Sequence, residues 1–88
     1  MHAVQLMEKA VRVAESVGYT IRYEYLDGNG GGACEFGGKQ WIFLDLALEP
    51  ADHFHTVLET IRANRQSLAI EMPAALRDLL ASPLRKSA

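Results

Sequence analysis

Apolar and polar residues alternate along this chain in two rhythms, helical at both ends and extended in the middle. Over residues 3–17, Val4, Met7, Val11 and Ala14 fall on one line at steps of three and four, with Leu6, Ala10, Val13 and Val17 on the adjacent line. Gln5, Glu8, Arg12, Glu15 and Ser16 take the other side, so the pattern predicts a helix with a wide apolar stripe for packing on a sheet. Gly18 stands where a left-handed residue would close that helix. Glu8 precedes Arg12 by four residues, the favourable order for an exposed helical pair.

The period then changes to two. Residues 20–26, TIRYEYL, place Ile21, Tyr23 and Tyr25 on one side and Thr20, Arg22 and Glu24 on the other, a strand with one polar face. Asp27-Gly28-Asn29-Gly30-Gly31-Gly32 is a loose glycine connection. Ala33 to Phe36 reads as a second strand, and Gly37-Gly38 or Gly38-Lys39 as a tight turn. Residues 40–46, QWIFLDL, form a third strand that is apolar throughout. Either turn puts Cys34, Phe36, Trp41, Phe43 and Asp45 on one face, and Ala33, Glu35, Ile42, Leu44 and Leu46 on the other. Asp45 then lies across from the glycine loop. A strand apolar on both faces does not suit an antiparallel sheet with one wet side. The aliphatic face fits helix packing. The aromatic face needs a cover of its own: the third helix or the tail, a ligand, or another copy of the chain.

The helical period returns at Glu49-Pro50-Ala51-Asp52, a start with proline at the first helical position and acids near the positive end of the dipole. Phe54, Val57, Leu58 and Ile61 form its buried stripe, with His53, His55, Thr56, Glu59 and Arg62 off it. Asn64 to Ser67 should end this helix, and residues 68–70 read as a loop or a short extended piece. Pro73 opens a short third helix with Leu76, Leu79 and Leu80 inward, and Ser82-Pro83 stops it. The whole pattern predicts one α+β domain over residues 1–82, in the order αβββαα with an antiparallel three-stranded meander, followed by a basic tail at 83–88.

Length and composition narrow the picture without naming an activity. Eighty-eight residues make one domain with a thin core, burying roughly 60–65% of the unfolded chain's surface. Hydrophobic residues at 49% and charged residues at 23% are ordinary for a globular protein. No apolar run approaches the roughly 18 residues that cross a bilayer, so no membrane is expected. The charges near the N-terminus sit at helical spacing, unlike a signal peptide, which predicts a cytoplasmic protein. A lone cysteine suits a reducing compartment and removes every multi-cysteine zinc pattern. A net charge of −2 argues against nucleic acid as the partner, although residues 1–60 carry −5 and residues 61–88 carry +3.

Four groups are candidates for chemistry. Backbone amides of Gly30, Gly31 and Gly32 form an anion nest in principle, but phosphate loops lead into a helix start and these glycines lead into a strand. Cys34 would need a base, from His53 or His55, and oxyanion donors, from the glycine loop, to act as a nucleophile. Its place on an aromatic face reads instead as a small buried hydrophobe. A metal site could draw on Cys34, Asp45, His53 and His55, but the two histidines project about 200° apart on a helix and cannot easily share one ion, so no metal is expected, and no motif calls for another cofactor. Asp45 ends an apolar strand and must be hydrogen-bonded. The simplest partners are the amides of Gly30 to Gly32, which would fasten the hairpin. The functional alternative is an acid or base of raised pKa in a cleft.

The stretch GGGACEFGGKQWIFLDL and the acidic helix start after it resemble a set of small bacterial proteins of no assigned function. They share a glycine cluster, a single cysteine, a second glycine turn and a Phe-x-Asp-Leu strand end. The resemblance spans residues 19–61 and implies no activity and no site. The residues themselves predict a non-enzymatic binding or assembly module, acting through Phe36, Trp41 and Phe43 or through the glycine-loop edge, with a homodimer or another protein as partner. The alternative is a small thiol-dependent enzyme or redox protein that uses Cys34 near Asp45 and His53 or His55.

Overall fold

The computed structural model describes residues 2–81 and has the α+β order read from the sequence. Helix α1 (Ala3–Ser16) leads into strand β1 (Tyr19–Glu24), then β2 (Gly31–Phe36) and β3 (Lys39–Asp45). Helix α2 (Pro50–Ala63), a 3-10 turn at Arg65–Ala69 and helix α3 (Ala74–Ala81) complete the described chain. The Ser82-Pro83 stop and the basic tail lie outside the described residues. None of the described helices is long and apolar enough to cross a membrane.

The sheet departs from the expected meander. Its strand order is β1-β3-β2, with β1 parallel and β2 antiparallel to β3. The most apolar strand therefore takes the centre, where both of its edges are hydrogen-bonded and one face is under the helices. The glycine connection does not turn β1 back on itself. It carries the chain across the C-terminal end of β3 to start β2 on the far side. Gly31 marks that crossing: a Cβ there would lie 2.3 Å from the Phe43 carbonyl oxygen, and its φ is +71°. Only glycine lets the two backbones come so close. At the other end, Gly37 and Gly38 have φ of +62° and +78°, the left-handed pair of a two-residue hairpin turn. This turn sets Cys34 opposite Trp41, the first of the two registers read from the sequence.

All three helices lie on the aliphatic side. Ile42 and Leu44 of β3 are fully buried under Ala10, Val13 and Ala14 of α1, Val57, Leu58 and Ile61 of α2, and Leu76 of α3. The α1 stripe is used only in part. Val4, at its N-terminal end, is 70% exposed, because packing against the core ends at Leu6 and Met7, about one turn from the helix start. Leu79 also departs from its inward assignment and sits at the surface. Helix α3 is fastened by Arg62 of α2, whose Nε and Nη2 donate to the carbonyls of Leu80 and Leu79 at 3.2 and 2.8 Å while Nη1 pairs with Glu59.

Candidate functional site

Asp45 lies beneath the crossing loop and is fully buried. Its Oδ1 accepts the backbone N–H of Leu26 at 3.0 Å and of Ala47 at 2.9 Å, and its Oδ2 accepts that of Gly30 at 2.9 Å. The carboxylate thus grips both ends of the loop that jumps over β3. Gly31 and Gly32 do not join in; they are paired in β2 with Leu44 and Phe43. Burial by itself raises the Asp45 pKa, but the N–H groups of Gly30, Ala47, Leu26 and Gly28 outweigh it and hold the carboxyl below its usual value. This corrects the raised-pKa acid or base expected as the functional alternative. Of the three amides of the supposed glycine nest only that of Gly30 holds an anion, and the anion is the protein's own side chain.

The face away from the helices is different. Strand register places Thr20, Arg22 and Glu24 of β1, Lys39, Trp41 and Phe43 of β3, and Gly32, Cys34 and Phe36 of β2 on it. No described helix covers these residues, and Phe36 is 68% exposed. The Trp41 and Phe43 rings stack at 5.9 Å between centroids and 17° between planes. The indole is fixed further by its Nε1–H, which donates to the Phe36 carbonyl at 3.3 Å. Arg22 and Lys39 each bring their charge to 5.8 Å from the indole centroid. Arg22 also pairs with Glu24, its Nη2 lying 2.6 Å from Oε2.

Cys34 is exposed on this face, which corrects its reading as a buried hydrophobe. It is a short side chain on an outer strand, and no described helix packs over it. Cys34 is also apart from the groups that would activate it. Asp45 is four residues along β3 from its neighbour Trp41, about 13 Å at ~3.3 Å per residue. His53 lies on the helix side of the sheet, edge-on to Tyr23 with 5.7 Å between ring centroids. His53 Nε2 is 2.6 Å from the Asp45 backbone carbonyl. A carbonyl only accepts, so Nε2 is the donor. His55 is exposed. Among the described residues, no three His, Cys, Asp or Glu are grouped to hold a metal ion.

The structure therefore brings Gly30 and Asp45 together at the loop, and Cys34, Phe36, Trp41 and Phe43 together on the open face. It leaves His53 behind the sheet. Sequence reasoning passed over Arg22 and Lys39 as neighbours of the indole. Lys39 was accessible from parity alone, being two residues before Trp41. Arg22 was not, because its place beside Phe43 depends on β1 pairing with β3. Comparison of the chain with protein-family models, with curated proteins and with solved structures finds no match.

Proposed function

We propose that this protein is a non-enzymatic assembly module that pairs with a second copy of itself through the open sheet face. The observation that carries the reading is the row of Phe36, Trp41 and Phe43 on a face that no described helix covers. A central strand apolar on both sides is what a sheet needs when both sides are packed. The charges on the face support a second copy over other occupants. Arg22 and Glu24 sit two residues apart on β1, so a two-fold axis between them sets each opposite its counterpart's opposite sign. The small residues Gly32 and Cys34 on the other outer strand leave room for long side chains from a facing sheet. The glycine edge is the weaker surface, because Asp45 already takes the Gly30 amide. A lone free thiol at this face fits the reducing cytoplasm.

Size-exclusion chromatography with light scattering tests the proposal. The expected mass is twice the 9.7 kDa of the chain. Phe36→Glu should return it to the monomer with unchanged circular dichroism, since Phe36 contributes little to the core. A wild-type chain that stays monomeric at millimolar concentration overturns the reading.

A further inference from the structure

On the helix side of the sheet, at the end opposite α3, a groove of about 480 Å³ opens between the first turns of α1 and α2. This is within the roughly 300–1,000 Å³ of small-molecule sites. Val4, Met7 and Glu8 of α1 form one wall, His53 and Phe54 of α2 the other, and Tyr23 of β1 the floor. The groove explains why Val4 and Tyr23 remain 70% and 50% exposed although each continues an apolar pattern. The core ends before reaching them, and they line a space that nothing in the described chain fills.

The charge lining this groove has one sign. Among the described residues Glu8 is the only charged side chain lining it, and no lysine or arginine does. The Glu8–Arg12 pair suggested by their spacing is not among the ion pairs of the described residues. His53, on the facing wall, has its Nε2 proton committed to the Asp45 carbonyl, which fixes its ring. Tyr23 and Phe54 add aromatic surface, which attracts cations to ring faces. We propose that the groove binds a small organic amine, with its ammonium group at Glu8 and its apolar or aromatic body between Met7, Tyr23 and Phe54. This is independent of self-association, because the groove and the open face lie on opposite sides of the sheet.

The test is a ¹H–¹⁵N NMR titration with three probes of similar body and different charge: phenethylammonium, 2-phenylethanol and 3-phenylpropionate. Phenethylammonium should shift the amides of Val4, Glu8, Tyr23 and Phe54, with the neutral and anionic probes weaker by roughly tenfold or more. Glu8→Gln, at an exposed position, should keep the spectrum of the fold and remove most of that preference. Tyr23→Ala should weaken the amine while preserving the ranking of charges. Equal affinity for the three probes, shifts confined to other surfaces, or no shifts at tens of millimolar would each overturn the proposal.

Discussion

Asp45 and Gly31 hold the same crossing loop by different means, one by charge and the other by having no side chain. Asp45→Asn keeps the size of the side chain but replaces one acceptor oxygen with an NH₂ group facing backbone N–H donors. It should lower the urea midpoint more than any exposed Asp→Asn change in the chain. The same carboxylate sets a pH dependence. Its folded pKa lies below the ordinary 3.8, so its contribution to stability is present above that value and is lost as pH falls through the depressed one. Acid titration of the wild type should show a loss of stability below pH ~4 that Asp45→Asn lacks. Gly31→Ala should cost at least ~1–2 kcal/mol from the left-handed backbone, plus the clash with the Phe43 carbonyl. Gly32→Ala, whose φ of +126° is strained as well but whose Cβ would meet nothing within 4 Å, should carry the backbone cost without the clash in the same thermal melt. The Gly30–Asp45 bond was legible in the sequence, because a carboxylate ending an apolar strand beside glycines has few other places to go. The Leu26 bond was not, since it exists only when the loop passes over β3, whereas the Ala47 bond is a local turn two residues beyond the carboxylate.

The three strands and three helices could be read from periodicity, because each period records which side of an element faces the core. Strand order could not. An Asn-Gly dipeptide between two alternating segments favours a hairpin, and nothing local in TIRYEYL says that its partner is the third strand and not the second. The information was present in a different form: the central position needs the strand with apolar residues on both faces, and only QWIFLDL has them. The third helix shows a similar dependence on distant residues. Its C-terminal carbonyls are held by Arg62, from an element separated from it by ten residues. Arg62→Ala should lose charged hydrogen bonds of about 1.5–3 kcal/mol each in the buried limit, and less here where the guanidinium is partly in water. Hydrogen exchange should show the last turn of α3 opening faster while the sheet amides keep their protection.

For the molecule as a whole, the three helices form a layer on one side of the sheet and the aromatic row lies on the other. If a second copy closes the open face, Cys34 becomes a reporter of it. Its reaction with a thiol reagent should slow as protein concentration rises, and Phe36→Glu should make the rate independent of concentration. A rate that is the same at micromolar and millimolar wild-type protein contradicts the self-pairing. The strand order has a further consequence for how the chain assembles. The middle plank of the sheet is made last: Tyr19–Glu24 has no neighbour to bond until Lys39–Asp45 has been synthesised and has bent back on Gly31–Phe36. Until then the first strand is an unmated ribbon, and Asp45, which clasps the crossing loop, is the last residue of the sheet to be synthesised.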